Sequence, residues 1–531
     1  MQAGSLFAQD FNHLVKQLLR DEYEAFTAAL SAQPPVSIRC NRLKVDAILS
    51  CKGSDAQEKN VFSLFADAEG MMQPEQIPWC ATGYYLPRRP HFASDPLFHA
   101  GVYYVQEASS MFLEQAVRTL LADPETVKSG VKALDLCAAP GGKSTHLLTL
   151  LPHNSLLVCN EVIRSRCMIL AENIAKWGYA NTIITQNDPK DFGRLPHFFD
   201  IIIADLPCSG EGMFRKNPDA RNEWSIAQVK FCASRQRRII RDVWEALKPG
   251  GYLIYSTCTF NTVENEDNVE ALADELGAEI IPISMMPEWN IKGASGYEII
   301  YPEWNRKEEK NHEMPVYRFF PHRIRGEGFF LALLRKAEVS PGVREARAVI
   351  RSSEVRGTST GIRSSRTAIR GSGTAIRGSG ADSNLRVLLT NPEKFVFRNE
   401  SPKYKSGKIG DSFRDMRYAL PISHESTFTI LSEYVNILSA GLLLGEFKGD
   451  DFVPSTLLAL STELNVYAFP AIELTYEQAI SYLQRETLSL PADKPKGFLL
   501  TTYRNIPLGF IKNTGIRANN LYRPGSLFLT L

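Results

Sequence analysis

Two cysteines, Cys208 and Cys258, follow two predicted strands and have small hydroxyl or glycine residues beside them. A thiolate can add to C6 of a pyrimidine ring, and this addition makes C5 nucleophilic enough to accept a methyl group. The same reaction needs an acid near N3 and a base that removes the C5 proton after methyl transfer. Asp205, Cys208 and Cys258 can fill these roles, and Lys143 can orient the base. From the residues alone, either cysteine could be the one that attacks.

A glycine-rich turn joins another predicted strand to a helix in the run LDLCAAPGGKSTHLL (134–148). Glycines let a ligand approach the backbone, and the first turn of a helix offers unpaired N–H groups. A nucleotide-triphosphate loop needs G-x-x-x-x-G-K-[ST]; the chain has Gly142, Lys143 and Ser144 but Cys137 in place of the first glycine. The dinucleotide pattern G-x-G-x-x-G is absent from this run. Both of these nucleotide sites are therefore disfavoured.

The remaining interpretation is a site for S-adenosylmethionine. Such a site uses a small-residue turn after the first strand, an acid at the end of the second for the ribose hydroxyls, and a polar residue after the third for the adenine. Glu161 ends the predicted strand 155–161, and Asp188 ends the predicted strand 181–188. One polar residue at a strand end is common, but suitable residues at three consecutive strand ends favour a cofactor.

Alternating strands and helices must position these groups, and this alternation begins near residue 131. Apolar strands are predicted at 131–137, 155–161, 181–188, 199–207, 252–258 and 326–336. A long helix is predicted over 222–247, and another begins near Val263. This order predicts a parallel, doubly wound sheet. Because ligands bind at the carboxyl ends of the strands in such a sheet, both thiols and the glycine turn should face one crevice.

The composition is that of a globular protein with several domains. The 531 residues carry a net charge of +1 and 44% hydrophobic side chains, which excludes disorder throughout the chain and excludes a polycation. Nine cysteines without a C-x-x-C pair argue against a zinc site and a disulfide framework, and for a reduced, cytoplasmic setting. No run approaches the roughly 20 apolar residues of a membrane helix, and the first residues are unlike a signal peptide.

Changes in composition divide the chain into four parts. We predict an N-terminal α+β domain over 1–130, a catalytic domain over 131–336, a linker over 337–387 and a C-terminal region over 388–531. The linker is rich in Ser, Gly and Arg and repeats TAIRGSG in tandem, which predicts disorder. A plain flexible linker is favoured over a basic tether for RNA phosphates. Within the C-terminal region, the pattern of 497–513 predicts a β-hairpin.

Three motifs, DLCAAPGGK (135–143), DLPCSGEG (205–212) and STCT (256–259), together resemble the Sun-type, or Fmu-type, RNA cytosine-C5 methyltransferases. The resemblance implies an α/β fold with a Rossmann-like, S-adenosylmethionine-dependent methyltransferase core. It implies that the product is 5-methylcytosine in RNA, formed through a covalent bond between a cysteine and C6. It also implies that Cys258 is the nucleophile and that Cys208 assists product release.

The family's cofactor contacts map onto this sequence residue by residue. They fall on Cys137, Ala138, Ala139, Pro140, Gly141, Gly142, Lys143, Glu161, Asp188 and Asp205. Leu206 stands where the family usually has Ala or Val, and Glu161 stands where Asp is common. Neither departure removes a reactive side chain, since either carboxylate can hold a ribose diol. The implied catalytic residues are Cys258, Cys208, Asp205 and Lys143, and no metal is expected.

Segments outside the core extend the resemblance over most of the chain. SIRCNRLK (37–44) and YYVQEASSM (103–111) resemble the family's N-terminal domain. GLLLGEFKGDDFVPS (441–455) and PLGFIKNTGIRANNLYRPG (507–525) resemble the RsmF branch, which acts on small-subunit rRNA and ends in a PUA-like RNA-binding module. The implied substrate is therefore 16S rRNA or a small-subunit particle. A tRNA substrate, or a noncatalytic RNA-binding role in ribosome assembly, remains as an alternative.

Arg215 and Lys216 follow the loop of Cys208 and are the predicted RNA contacts of the catalytic domain. Cations at this position could bind the phosphates on either side of a target base that is flipped out of its stack. The sequence predicts RNA as the partner, with no DNA, no membrane and a monomeric chain.

Overall fold

The computed structural model describes the following residues: 8–50, 66–67, 70–71, 73–217, 219–294, 297–298, 309–310, 314–338, 385–398, 416–448 and 451–522. The predicted linker over 337–387 lies outside the described residues except for its first two and last three positions, and Cys51 lies outside them as well.

Helices and a small four-stranded sheet form the N-terminal part. The helices are α1 (Gln9–Leu19), α2 (Tyr23–Ser31), α3 (Arg42–Ser50), α4 (Pro96–His99), α5 (Leu113–Leu120) and α6 (Pro124–Ser129). The strands are β1 (Val36–Cys40), β2 (Glu75–Gln76), β3 (Gly83–Leu86) and β4 (Tyr103–Val105). They are arranged in the order β2-β3-β1-β4, and β1 is antiparallel to both of its neighbours.

The catalytic part alternates strands with helices as the sequence predicts. Its strands are β5 (Lys132–Asp135), β6 (Leu156–Asn160), β7 (Thr182–Thr185), β8 (Phe199–Asp205), β9 (Leu247–Thr257), β10 (Ala278–Ile280), β11 (Lys292–Ala294), β12 (Met314–Phe319) and β13 (Phe329–Lys336). Its helices are α7 (Gly142–Leu150), α8 (Arg164–Trp177), α9 (Pro189–Phe192), α10 (Ala220–Glu223), α11 (Ile226–Trp244) and α12 (Glu266–Leu276).

The central sheet has the strand order β11-β12-β13-β9-β8-β5-β6-β7, and β10 pairs with β13. The five strands from β9 to β7 are parallel, and β13 is antiparallel to β9. Helices cover both faces of such a sheet, which is why its parallel strands are continuous apolar runs such as the buried Ile201–Ala204 of β8. The order reverses between β5 and β8, and the crevice at this switch point is where doubly wound sheets bind their ligands.

One predicted boundary shifts for a reason that concerns the site. The helix predicted to begin near Val263 begins at Glu266, because the preceding turn uses its side chains for buried hydrogen bonds. For example, Thr257 Oγ1 donates to Asn265 Oδ1 at 2.6 Å. Polar side chains that bond within a turn compete with helix formation.

The C-terminal part contains two further sheets. Its strands are β14 (Phe395–Arg398), β15 (Met416–Pro421), β16 (Ile437–Ala440), β17 (Leu442–Lys448), β18 (Asp451–Pro454), β19 (Ala471–Glu473), β20 (Gly497–Tyr503), β21 (Ile506–Asn513) and β22 (Ala518–Asn520). Its helices are α13 (Glu425–Tyr434), α14 (Thr456–Leu460) and α15 (Tyr476–Leu483). The sheets have the orders β14-β15-β17-β18 and β19-β20-β21-β22. The hairpin predicted over 497–513 is confirmed as β20 and β21, and its turn residues Arg504 and Asn505 both have positive φ.

One C-terminal strand belongs to the catalytic sheet rather than to its own part of the chain. β16 pairs antiparallel with β7 and so extends the central sheet at that edge. Apolar periodicity predicts that a strand forms but does not reveal which sheet the strand joins. The boundaries of the four predicted parts of the chain remain predictions. Among the described residues, every helix is too short or too polar to span a lipid bilayer.

Candidate active site

The two predicted reactive cysteines lie side by side at the carboxyl ends of β8 and β9. The Sγ atoms of Cys208 and Cys258 are 3.1 Å apart, and both residues are half-buried. The two strands are parallel neighbours with Asp205 opposite Ser256, so the loops that follow them meet at one edge of the sheet. The fold therefore brings together two thiols that are 50 positions apart in the sequence.

The thiol of Cys208 holds its proton strongly. Its pKa is raised well above the usual value for a cysteine, first because of its hydrogen bond with Cys258 and then because the thiol is buried. A thiol that keeps its proton at neutral pH is a poor nucleophile, since the thiolate is the attacking form. The raised pKa therefore disfavours Cys208 as the attacking sulfur.

A buried carboxylate joins the two loops that carry the cysteines, and the sequence analysis did not single it out. Glu211 accepts hydrogen bonds from the backbone N–H groups of Phe260 at 2.7 Å and Asn261 at 2.9 Å. Trp224 Nε1 donates to the same carboxylate at 2.9 Å. Glu211 follows Cys208 in the chain, so these bonds fix the first loop against the loop after β9.

Glu264 completes the network from the second loop. Its carboxylate accepts hydrogen bonds from the backbone N–H of Ser209 at 3.0 Å and from the side-chain amides of Gln236 and Asn261 at 2.8 Å each. Burial raises the pKa of Glu264 to about 7, and the nearby Glu211 adds to this shift. Glu211 and Glu264 are close to the cysteines in sequence. Both carboxylates accept hydrogen bonds from amide groups of Asn261, and only this shared partner reveals that they position the two loops.

Asp205 lies between the glycine turn and β9. Its Oδ2 accepts a hydrogen bond from Lys143 Nζ at 2.8 Å, and its Oδ1 accepts one from Ser256 Oγ at 2.9 Å. Burial acts to lower the pKa of Lys143, but the Asp205 carboxylate more than offsets this, so the pKa is raised and Lys143 stays charged. The two bonds hold the Asp205 carboxylate in one orientation beside the cysteines' strand ends.

The turn between β5 and α7 is held from outside by α8. Gly141 has a φ of 113°, which disfavours any residue with a Cβ atom. Arg166 Nη2 donates to the carbonyl oxygen of Ala139, and Asn173 Nδ2 donates to that of Pro140, both at 2.8 Å. The turn is therefore anchored through its carbonyl groups.

A buried amide that the sequence analysis missed joins the strand ends around this turn. Asn160, the last residue of β6, donates from Nδ2 to the carbonyl oxygens of Leu136 at 3.1 Å and Asn187 at 3.0 Å. Its own carbonyl oxygen accepts from the backbone N–H of Ala138, the residue after Cys137, at 2.8 Å. All three strand ends predicted to hold the cofactor are linked through this one side chain and its backbone.

The remaining predicted cofactor residues lie along the same edge of the sheet. Glu161 accepts a hydrogen bond from the backbone N–H of Ile163 at 2.9 Å through Oε1. Its Oε2 is buried and lies 3.3 Å from Arg166 Nη1, yet it makes no hydrogen bond among the described residues. A ribose hydroxyl is the kind of donor that such an oxygen lacks. Asp188 accepts from Lys190 N at 3.2 Å and caps α9 at the end of the adjacent strand. These carboxylates fit the nucleoside part of S-adenosylmethionine.

Asp135, the last residue of β5, is fully buried beneath the turn. It accepts a hydrogen bond from Ser144 Oγ at 2.6 Å through Oδ2, and its Oδ1 has no partner among the described residues. Burial raises the pKa of Asp135 to about 7, and the neighbouring Asp205 carboxylate adds to the shift.

The two residues predicted to contact RNA, Arg215 and Lys216, have different surroundings in the structure. The Arg215 side chain is 5% exposed and points into the protein, where Nε donates to Glu327 Oε2 at 2.9 Å and Nη2 donates to the Gly326 carbonyl oxygen at 2.6 Å. A guanidinium engaged in this way does not support the predicted phosphate contact. Lys216 is exposed and makes only a long ion pair of 3.7 Å with Glu327 among the described residues, so its charge is accessible from solvent.

Three segments of the chain match known protein families. Residues 122–335 match the 16S rRNA methyltransferase RsmB/F family, and residues 7–108 match the N-terminal domain of 16S rRNA methyltransferase RsmF. Residues 469–526 match the methyltransferase RsmF PUA domain. The matched segments include the small N-terminal sheet, the central sheet and the hairpin of β20 and β21.

Individual proteins extend this similarity over most of the chain. Ribosomal RNA small subunit methyltransferase F of Aliivibrio fischeri (strain MJ11) is 30% identical over 478 residues, which are 87% of this chain and 88% of that protein. The protein of the same name from Enterobacter sp. (strain 638) is 29% identical over 522 residues, covering 95% of this chain and 93% of its own. The crystal structure of PH0851 has a TM-score of 0.50 and 24% identity and covers 62% of this chain and 66% of that one, which shows a shared fold.

These findings confirm the expected Rossmann-like methyltransferase core with a C-terminal PUA region. The resemblance to the RsmF branch, first indicated by the C-terminal segments 441–455 and 507–525, holds over nearly the full length of the curated relatives. The chain belongs to the ribosomal RNA small subunit methyltransferase F family.

Proposed function

We propose that this chain methylates C5 of a cytosine in 16S rRNA, with S-adenosylmethionine as the methyl donor and Cys258 as a covalent nucleophile. The observation that carries the proposal is the 3.1 Å contact between the sulfurs of Cys208 and Cys258 beside Asp205, which is itself bonded to Lys143 of the glycine turn. These contacts support a proposal in which the nucleophile, the carboxylate and the cofactor turn act at the same edge of one sheet.

The first step is addition of the Cys258 thiolate to C6 of the cytosine. A bond forms between Sγ and C6, and the electron pair of the C5–C6 double bond moves toward N3. Asp205 in its protonated form donates to N3 and so stabilises the negative charge that develops there. The orientation of Asp205 is set in advance by Lys143 and Ser256, so no reorganisation is needed when the charge appears. Bound S-adenosylmethionine supplies an electrophilic methyl group for C5.

The second half of the reaction restores the ring. The C5 proton must leave so that the C5–C6 double bond can re-form and the bond between C6 and Cys258 can break. Cys208 is suited to assist here because it lies against Cys258: its thiol gives its proton to the departing sulfur of Cys258, and the strongly basic thiolate left on Cys208 accepts the C5 proton. The buried network of Glu211 and Glu264 holds the two loops so that this contact is kept.

The class of RNA substrate is inferred from the family, and not from the geometry of the active site. The curated relatives are named ribosomal RNA small subunit methyltransferase F, and the PUA domain match over 469–526 supports RNA binding by the C-terminal part. Lys216, exposed next to the loop of Cys208, is the proposed phosphate contact beside the target base.

The test is methyl transfer from labelled S-adenosylmethionine by the full chain to three RNAs: free 16S rRNA, small-subunit particles and total tRNA. Nucleoside digestion should yield labelled 5-methylcytidine from one of the two small-subunit substrates. Label found only on N-methylated bases would overturn the chemistry. Label in tRNA alone would overturn the substrate, and tight RNA binding without turnover would favour a noncatalytic assembly factor.

A further inference from the structure

Three buried side chains converge at a second point, away from the two catalytic cysteines. Cys80, Glu114 and His146 are each at most 1% exposed, and their potential ligand atoms all lie within 4.8 Å of one another. They come from three separate elements: the turn between β2 and β3, the first turn of α5, and the middle of α7. We propose that these three residues bind one Zn²⁺ ion.

Two of the three distances between the ligand atoms fit the edges of a zinc coordination tetrahedron, and the third is within 4.8 Å. Zinc bonds of roughly 2.3 Å to sulfur, 2.0–2.1 Å to imidazole nitrogen and 2.0–2.2 Å to oxygen give sulfur–nitrogen edges of about 3.6 Å and nitrogen–oxygen edges of about 3.3 Å. The Sγ of Cys80 lies 3.7 Å from His146 Nε2, and His146 Nε2 lies 3.4 Å from Glu114 Oε2. A fourth position is left for water, as in other zinc sites with three protein ligands.

Hydrogen bonding alone is a poor account of the same contacts. Charge-assisted N–H···O bonds are about 2.7–2.9 Å long, so a 3.4 Å contact between His146 and Glu114 is a weak one. The other partner of Glu114 Oε2 is the backbone N–H of Ala81, at 3.2 Å. His146 Nδ1 has no hydrogen-bond partner among the described residues, so the Nε2 side carries the ring's polar contacts. A cation at the centre would satisfy the thiol, the imidazole and the carboxylate oxygen together.

The second carboxylate oxygen is already oriented for such a role. Arg118 donates to Glu114 Oε1 from Nε at 3.0 Å and from Nη2 at 2.8 Å, which turns Oε2 toward Cys80 and His146. Zinc-binding carboxylates are commonly held by outer hydrogen bonds of this kind. Arg118 itself is 60% exposed, so its charge remains solvated.

The charges balance in a buried site. Zn²⁺ with one thiolate, one carboxylate and one neutral imidazole is a neutral complex, which lowers the cost of burying each ion.

The position of the site suggests what the ion does. α7 begins at Gly142 of the glycine turn, and His146 lies one turn further along the same helix. A metal bonded to His146, Cys80 and Glu114 would fix that helix against two elements that precede the catalytic sheet. We expect loss of the ion to lower the melting temperature and to weaken binding of S-adenosylmethionine.

The experiment measures bound metal in the full chain, and its design must exclude the catalytic thiols, which could bind zinc adventitiously. Protein expressed with zinc present and dialysed against metal-free buffer should retain about one equivalent of zinc by mass spectrometry. X-ray absorption at the zinc edge should show one sulfur at about 2.3 Å and the rest nitrogen or oxygen. Two sulfurs would assign the ion to Cys208 and Cys258 and overturn the proposal.

Cobalt substitution provides the matched comparison. In a Cys208→Ser/Cys258→Ser background, added Co²⁺ should give a sulfur-to-cobalt charge-transfer band that Cys80→Ser removes. Cys40→Ser is the control, because Cys40 is equally buried in β1 but lies outside the cluster, and it should keep the band. Absence of both zinc and the cobalt band from protein with Cys80 intact would overturn the proposal, even if the Cys80→Ser variant fails to fold.

Discussion

The sulfur atoms of Cys208 and Cys258 are 3.1 Å apart at the ends of two parallel strands, and the pKa of Cys208 is raised by its hydrogen bond with Cys258 and by burial. A thiol that keeps its proton is a poor nucleophile. The structure therefore supports a division of labour in which Cys258 attacks the base and Cys208 acts after methyl transfer. The first two predictions test that division.

Replacing Cys258 by Ala should abolish methyl transfer. Without the sulfur no bond to C6 can form, and C5 stays too weakly nucleophilic, so we expect turnover to fall by more than about 10³-fold. Initial rates with labelled S-adenosylmethionine measure this loss. Cys232→Ala is the matched control: Cys232 is buried in α11 outside the pair, and its variant should retain turnover.

Replacing Cys208 by Ala should leave the attack intact and block release. The covalent bond between Cys258 and the RNA would then persist, because the group proposed to assist loss of the C5 proton is missing. Denaturing gels with labelled RNA should show a protein–RNA band for Cys208→Ala that is absent for Cys258→Ala. The opposite pattern would exchange the two assignments.

The stability of the fold should depend on pH through Asp135. Its pKa is about 7 in the folded chain because of burial, against about 3.9 for an unfolded aspartate. The folded state therefore holds a proton that the unfolded state releases, so this contribution to stability is full below pH 4 and is lost as pH rises through 7. Melting temperatures of the wild type, relative to Asp135→Asn, should fall across this range. A constant difference would contradict the raised pKa.

The C-terminal part should support the cofactor site through Asn187. Its side chain accepts from Asn436 N at 2.8 Å and donates to Asn436 O at 3.1 Å, which fastens the segment before β16 beside Asp188. Asn187→Ala should cost about 1–3 kcal/mol in the free energy of unfolding and raise the dissociation constant for S-adenosylmethionine. Denaturant titration and calorimetry measure the two effects.

Asn181→Ala is the control for this prediction. Asn181 lies just before β7, whereas Asn187 lies just after it. The side chain of Asn181 donates a hydrogen bond to Ser155 O at 2.8 Å. This variant should lose some stability but keep its affinity for S-adenosylmethionine. Equal losses of affinity in the two variants would show that Asn187 acts only on general stability.

Arg215 and Lys216 should behave differently despite being neighbours. Removing Arg215 takes away the 2.9 Å hydrogen bond to the Glu327 carboxylate, which is 4% exposed, and leaves it only the longer 3.7 Å ion pair with Lys216 among the described residues, so Arg215→Ala should cost about 3–5 kcal/mol of folding stability. Lys216→Ala should leave stability nearly unchanged, weaken RNA binding and reduce its salt dependence by about one phosphate contact. Urea melts and binding titrations at several salt concentrations distinguish the two. A stable Arg215→Ala variant with weakened RNA binding would restore the predicted phosphate contact.

Local sequence patterns were sufficient for the fold class and for most of the proposed site. Apolar runs separated by helical segments predict a parallel sheet, and the residues that follow each strand reach its carboxyl edge whatever the rest of the chain does. The glycine turn, Glu161, Asp188, Asp205 and both cysteines are all placed by this rule. Their types and spacing therefore indicated a cofactor and a thiol mechanism before any distance was known.

Only the tertiary structure decided which side chains meet across elements. The Arg215 side chain points into the protein because it bonds to Glu327, which is more than a hundred residues away in sequence. Strand β16 joins the central sheet because it pairs with the edge strand β7. The cluster of Cys80, Glu114 and His146 was invisible to a search for short metal motifs, because its members are 32 or more positions apart. Local patterns report backbone periodicity, whereas these contacts arise from the packing of distant segments, which no short window of sequence contains.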